Sequence, residues 1–238
     1  MAEEVTPNNP YTNMQKNLYE NLASQWNVNN LDPVVGTFNA HNAWVDYEYL
    51  FVNIPEKKIK EVLDFGCGPG RNLVKYSDEF KRIDGVDIAQ RNLQNASIWI
   101  RYNQKDEAKH KLILCNGVDL SNISNEEYDI VMSTISMQHI CIYKIRLNYL
   151  REFYRVLKAG GYLTIQMGYG GSGTGVGYYY DNVYEGIASN GGCDTNITDV
   201  AQIQKDLEDI GFKNFNYYIR PTGPGDRHAN WIFFNAQK

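Results

Sequence analysis

Residues 61–71 read EVLDFGCGPGR, an apolar run that meets an acid and then drops into glycines at positions 66, 68 and 70. A strand that ends this abruptly, in a loop nearly free of side chains, lets backbone approach a ligand more closely than side chains would allow. Asp87 closes the next apolar run, 21 residues after Gly66. An acid at that distance is placed to accept hydrogen bonds from the two hydroxyls of a ribose. Three glycines alone often make only a turn, but the loop and the acid together predict a nucleotide-like ligand.

The rest of the chain supplies a sheet for that loop. Short apolar runs, VLDF (62–65), RIDGVDI (82–88), KLILC (111–115), YDIVMS (128–133) and GYLTIQM (161–167), alternate with segments of helical spacing. Leu73, Val74 and Phe80 form one such set, Leu93, Ala96 and Ile100 a second, and Leu147, Leu150, Phe153 and Leu157 a third. Strand and helix in alternation predict a parallel sheet with helices on both faces. Near the end, Val200, Ile203, Leu207 and Ile210 mark a helix that Thr198 would cap and Gly211 would stop. FKNFNYYIR (212–220) and NWIFFNAQ (230–237), joined by PTGPGDRHA, then predict an antiparallel pair that closes the sheet. Ahead of it all, Met14, Leu18, Leu22 and Trp26 step by four, so residues 12–26 are expected as an amphipathic helix laid over the domain.

Composition narrows the ligand class. With 43% hydrophobic and 21% charged residues, a 238-residue chain is expected to form one soluble domain. Its net charge of −5 and its 23 scattered Lys and Arg residues argue against nucleic acid and for a small molecule. The start, MAEEVTPNNPYT, is acidic and polar, and no run approaches the roughly 18 apolar residues of a spanning helix, so a cytoplasmic location away from membranes is expected. Cys67, Cys115, Cys141 and Cys193 show no CxxC pairing, which predicts reduced thiols and no zinc site. No convincing cluster of carboxylates suggests any other metal.

The loop spacing then separates nucleotide types. A dinucleotide fingerprint needs G-x-G-x-x-G so that a pyrophosphate can rest on a helix amino terminus, whereas this loop reads G-C-G-P-G and follows Asp64, a carboxylate ill placed beside a diphosphate. A cationic ligand fits better. VLDFGCGPG at 62–70 resembles the first motif of the class I S-adenosylmethionine-dependent methyltransferases. The resemblance continues through GVDI (85–88), YDIVMSTISMQHI (128–140) and REFYRVLKAGGYLTIQM (151–167), and so covers roughly residues 60–168. It implies an α/β fold with a Rossmann-like, doubly wound sheet of seven strands, mostly parallel with one antiparallel strand near the C-terminus. It also implies S-adenosyl-L-methionine as cofactor. The chain is read as a single domain, with an N-terminal helical cap over 1–58, a cofactor-binding core over 59–168, and an acceptor-side lid loop, helix and closing strands over 169–238.

Site residues follow from the same resemblance. Gly66, Gly68 and Gly70 would let the methionine part lie on backbone, with Cys67 in the loop and Asp64 or its backbone neighbours receiving the amino group. Asp87 would hold the ribose and Ile88 would flank the adenine. CNGVDLSNI (115–123) resembles the segment that meets the adenine amino group, and places Asn116, Val118 and above all Asp119 there, although the acid stands later than the family pattern has it. Ser133 and Thr134 would face the methionine end.

The acceptor side is read from the residues. A sulfonium methyl is already activated, so displacement needs an acceptor in near-attack geometry and, for a hydroxyl, a base. His139, six residues past Ser133, is the candidate base; its alternative is a hydrogen bond within the turn. GYGGSGTGVGYYYDNVY (168–184) reads either as a mobile lid, with Tyr169, Tyr178 and Tyr179 offered to the acceptor, or as a surface loop whose tyrosines pack on the domain. Arg220, Arg227 and His228 form a set that could bind an anion or simply a solvated turn. STIS at 133–136 replaces the motif that nucleic-acid amino-methyltransferases use to hold a flipped base. The expected function is methyl transfer to a small polar or anionic acceptor, at oxygen in preference to nitrogen, by a monomer or homodimer. A binding protein, or another enzyme of the same fold, is the alternative.

Overall fold

The computed structural model describes residues 6–30, 49–171, 176–182, 194–223, 226 and 228–238. Strands β1 (Glu61–Phe65), β2 (Arg82–Asp87), β3 (Leu112–Leu114), β4 (Tyr128–Thr134), β5 (Leu157–Tyr169), β8 (Lys213–Pro221) and β9 (Asn230–Gln237) form one seven-stranded sheet. Its order is β3-β2-β1-β4-β5-β9-β8. The pairs from β3 to β5 are parallel, while β9 runs antiparallel to both β5 and β8. This is the Rossmann-like sheet with one reversed strand that the sequence predicts. The central strands are apolar on both faces because both are covered. Val62, Ile130 and Met132 face one core with Leu73 and Leu93, and Leu63, Phe65 and Val131 face the other with Tyr149 and Phe153.

Five helices surround the sheet among the described residues: α1 (Pro10–Ala23), α2 (Arg71–Tyr76), α3 (Gln90–Tyr102), α4 (Tyr143–Val156) and α5 (Val200–Ile210). Pro10 opens α1 and the Asn9 side chain caps it by accepting from the Thr12 amide. The expected stripe holds in part: Met14 packs against the core, and Leu22 and Trp26 face the cavity described below. Tyr11, Thr12, Gln15 and Ala23 are its buried residues, and Leu22 is exposed, because the helix covers a partly polar surface rather than a greasy one. At α5 the cap is Asp199 and not Thr198: Asp199 forms a capping box with Gln202, and Gly211 stops the helix in the left-handed conformation as predicted.

Two further strands were not foreseen. β6 (Val176–Tyr178) pairs in parallel with β7 (Asp194–Asn196). The backbone of Ile197 bonds Gly168 and Gly170, which holds this small sheet on the end of β5. Arg146, buried on α4, donates to the carbonyls of Ile140 and Tyr179 and, at 3.1 Å, to Thr195 Oγ1. Over 176–182, then, the expected open lid is a segment pinned by a buried guanidinium; residues 172–175 and 183–184 lie outside the described residues. The cysteines also need correction. Cys67 and Cys115 are free, but Cys141 is disulfide-bonded. Wide spacing in sequence puts no lower bound on spacing in the fold.

Candidate active site

A cavity of about 200 Å³ lies beyond the carboxyl ends of β1, β2 and β4 and beneath α1. Its floor is the glycine turn. The amides of Gly66 and Cys67 donate to Val86 O at 2.8 and 3.1 Å, which ties the turn to β2. Gly66 holds φ +70°, and a Cβ there would lie 1.8 Å from Ser136 Oγ. Gly68 holds φ +52°, and a Cβ there would meet nothing within 4 Å. One glycine lets two loops touch; the other keeps the cavity open.

Asp87 braces the same floor. Its Oδ2 accepts from Gly68 N at 2.9 Å, and its Oδ1 accepts from Ala89 N at 2.9 Å and Asn92 Nδ2 at 3.2 Å. Burial pushes this carboxyl above its ordinary range against those three bonds. Asp64 stands behind the wall and does not line the cavity. Burial raises its carboxyl to about 7, opposed by the charge of Arg71 and by Asn72 Nδ2, 3.5 Å from Asp64 Oδ1. Arg71 and Asn72 do line the cavity, and both reach Thr134 Oγ1, at 3.4 and 2.9 Å. Asp64 Oδ2 and Ser133 Oγ are buried with no hydrogen-bond partner among the described residues. Cys67 is inert packing, its thiol pushed far up by burial.

The roof is α1. Tyr11 donates its hydroxyl to His139 O at 3.0 Å and accepts from Cys141 N at 2.7 Å, and Gln15 Nε2 reaches the same carbonyl at 2.5 Å. Glu20 accepts from the amides of Gln90 and Arg91 at 2.6 and 3.1 Å, and so caps α3, whose own N-cap Ala89 has no side chain to do it. Tyr19 and Trp26 complete the roof. His139 closes one end of the cavity from a 3-10 turn after β4, with its Nδ1 2.8 Å from Asp194 Oδ1.

The sequence-predicted residues divide by this geometry. Gly66, Cys67, Gly68, Asp87, Ile88, Thr134 and His139 line the cavity together. Gly70 sits one step behind, packed against Ala96. Asn116, Val118 and Asp119 are off the lining, because Asn116 and Asp119 spend their side chains on a turn that leaves Cys115 and Gly117 facing inward. Of the residues offered to the acceptor, Tyr179 is buried with its hydroxyl on Asp206, Tyr178 is exposed, and His228 is buried against Asn196. Neither these nor Tyr169 and Arg220 line the cavity, since the outer strands β9 and β8 lie beyond β5 while the cavity sits over β1, β2 and β4. Arg227 lies outside the described residues. The sequence reading missed Tyr11, Gln15 and Tyr19. Their spacing of four was the available signal, overlooked because the apolar stripe beside it has the same spacing.

Residues 63–165 match the family model described as a methyltransferase domain. Over that stretch, a little under half of the chain, it is similar to a methyltransferase domain. No curated protein matches the chain by sequence. Among solved structures, the domain resembles Haemonchus contortus phosphoethanolamine N-methyltransferase 2 with phosphomonomethylethanolamine and S-adenosylhomocysteine (TM-score 0.67, 18% identity, 92% of this chain). The chain spans only 60% of that protein's length. It also resembles a methyltransferase from Methanosarcina mazei (TM-score 0.59, 21% identity, 79% of this chain and 96% of that one). A third is a methyltransferase from Mesorhizobium loti (TM-score 0.62, 13% identity, 83% and 99%). At these identities the likeness concerns the fold.

The cavity has features that suit S-adenosylmethionine, which the Haemonchus contortus enzyme binds. The turn at Gly68 leaves open space where a side chain would stand, Asp87 lines the cavity with its carboxyl group, and Arg71 and Asn72 line it with groups that suit a carboxylate. Among the described residues, no helix is long and apolar enough to cross a membrane.

Proposed function

We propose that the chain methylates a small polar or anionic acceptor at a hydroxyl oxygen, with His139 as the base. The observation that carries this reading is the presence of His139 and the Gly66–Asp87 cradle on one cavity. The cofactor supplies an activated methyl group. Asp87 holds the ribose hydroxyls, Ile88 and Gly117 flank the adenine, and Arg71, Asn72 and the Gly66–Gly68 backbone hold the amino acid end. His139 takes the acceptor proton from the end of the cavity, where α1 excludes water. Residues 59–168 then serve the cofactor, and α1 with 169–238 frames the acceptor, in a cytoplasmic monomer or homodimer.

The test is a screen with labelled cofactor across hydroxy acids, sugars and sugar nucleotides, with phosphoethanolamine as the amine control. Phosphoethanolamine is included because the Haemonchus relative is named for it. On the best acceptor, His139→Ala is expected to lower kcat by about 10² to 10⁴ with cofactor affinity unchanged. Turnover restricted to amines, or a His139→Ala variant within about fivefold of the parent, would reject the hydroxyl-and-base reading.

A further inference from the structure

We infer that Ser136 is a further ligand-binding residue, its hydroxyl placed by the turn after β4 on the amino acid end of S-adenosylmethionine; this rests on the reading of the cavity as that cofactor's site. Ser136 lines the cavity beside Ile135 and is half-buried there. Three separate features of the turn point to its hydroxyl.

The first is place. A Cβ on Gly66 would lie 1.8 Å from Ser136 Oγ and 2.5 Å from Ser136 Cβ. The serine hydroxyl therefore occupies the space that a side chain at position 66 would have filled, directly over the glycine turn. The second is what the hydroxyl leaves undone. Ser136 precedes the 3-10 turn Met137–His139, where a serine ordinarily bonds back to the amides of the turn, yet its side chain makes no such bond. The turn is closed by backbone instead, His139 N donating to Ser136 O at 3.0 Å.

The third is strain. Ile135 holds φ +50°, a left-handed conformation that a β-branched residue adopts only where its surroundings impose it. Both imposing contacts come from β5. Ile135 N donates to Gln166 O at 3.2 Å, and Gly168 N donates to Gln138 Oε1 at 3.1 Å. Two anchors on one strand thus hold the turn in the shape that carries Ser136 over Gly66, and a hydroxyl fixed in advance gives up little freedom when a ligand arrives.

Position also selects the part of the ligand that the hydroxyl meets. Two residues before it, Thr134 Oγ1 accepts from Arg71 Nη2 at 3.4 Å and from Asn72 Nδ2 at 2.9 Å, at the end of the cavity proposed for the amino acid. Ser136 lies between that polar end and the first glycine of the turn, whereas the proposed ribose and adenine neighbours, Asp87, Ile88 and Gly117, belong to other segments of the lining. A hydroxyl donates to a carboxylate and accepts from an ammonium, so it suits an end that carries both, and bonds to charged groups are the stronger kind.

Calorimetry of S-adenosylhomocysteine and of 5′-methylthioadenosine, which keeps the adenosine and the sulfur but lacks the amino acid end, tests this in the full chain and in Ser136→Ala. The substitution is expected to weaken S-adenosylhomocysteine about 10- to 30-fold and 5′-methylthioadenosine by less than about twofold. Its Tm should stay within about 2 °C of the parent, since the hydroxyl caps nothing. Equal losses for the two ligands would place the hydroxyl away from the amino acid end and overturn the inference. So would a Ser136→Ala chain that binds S-adenosylhomocysteine within about twofold of the parent, including one whose loss is confined to turnover, which would move the hydroxyl to the acceptor. A parent chain that binds neither ligand overturns the cofactor reading, and the inference with it.

Discussion

The proposed cofactor side and the proposed acceptor side of this chain are built by different means. Over β1 and β2 the wall is mostly backbone: amides of Gly66, Cys67 and Gly68 meet Val86 O and Asp87 within one strand-turn-strand span. Beyond β4 and β5 it is made of buried polar side chains from distant segments. Arg146 holds Thr195 and the Tyr179 carbonyl, Asp206 holds Tyr143 and Tyr179, and Asp194 meets His139. A backbone cradle suits a ligand shared by a whole family, whereas a side-chain network can be redrawn for each acceptor without disturbing the cradle.

Substitutions on the two sides should therefore fail differently. The largest effect is expected at Gly66→Ala, where the new Cβ would sit 1.8 Å from Ser136 Oγ and 2.5 Å from Ser136 Cβ, at φ +70°. Either the glycine turn or the loop after β4 must move. S-adenosylhomocysteine affinity should fall by about 10²-fold or more, roughly 3 kcal/mol by calorimetry. An affinity near that of the parent would show that the cradle tolerates displacement, and would erase the contrast.

A smaller effect sharpens the electrostatics. Asp64 has an ordinary value of 3.8 and is raised to about 7 by burial. Below the first value native and unfolded chains both hold the proton; between the two values only the native chain does. Stability is therefore lost as pH rises through that window and levels off above it, by an amount on the order of a few kcal/mol. Asp64→Asn lacks this slope, so in urea titrations at pH 5 and pH 8 the variant should gain on its parent at the higher pH. Parallel profiles would mean that Arg71 and Asn72 fully offset the burial.

The smallest effect concerns the roof. Glu20→Ala removes the acceptors for the Gln90 and Arg91 amides and should cost about 1 kcal/mol, seen as a Tm lower by roughly 2–4 °C. An unchanged Tm would show that α1 is not fastened to α3 through this carboxylate.

The same contrast explains what could be read from sequence. The glycine turn, Asp87 at the end of β2 and the alternation of strands and helices are local or periodic features, and spacing reports them. Asp194 is different. Nothing in the chain around it marks it as a neighbour of His139, because the approach is created by β7 folding back on the end of β5. Tyr179 shows the other limit: a tyrosine in a glycine-rich run can belong to a mobile lid or pack on the domain, and a buried carboxylate and guanidinium draw this one into the core. At α1, apolar and polar cavity-facing residues share one helical period, so periodicity gave the helix and, in Leu22 and Trp26, part of the cavity face, but not Tyr11, Gln15 and Tyr19.

The central claim is that the cavity bounded by Gly68 and Asp87 holds S-adenosylmethionine. Calorimetry of S-adenosylhomocysteine, S-adenosylmethionine and NAD against the parent chain and Asp87→Ala tests it most directly. The account predicts binding of both sulfur compounds and not NAD, and a loss in Asp87→Ala of about 2–4 kcal/mol, roughly 30- to 1000-fold, in a protein that stays folded. Binding of NAD in place of the sulfur compounds, or an Asp87→Ala dissociation constant within about threefold of the parent, would contradict it.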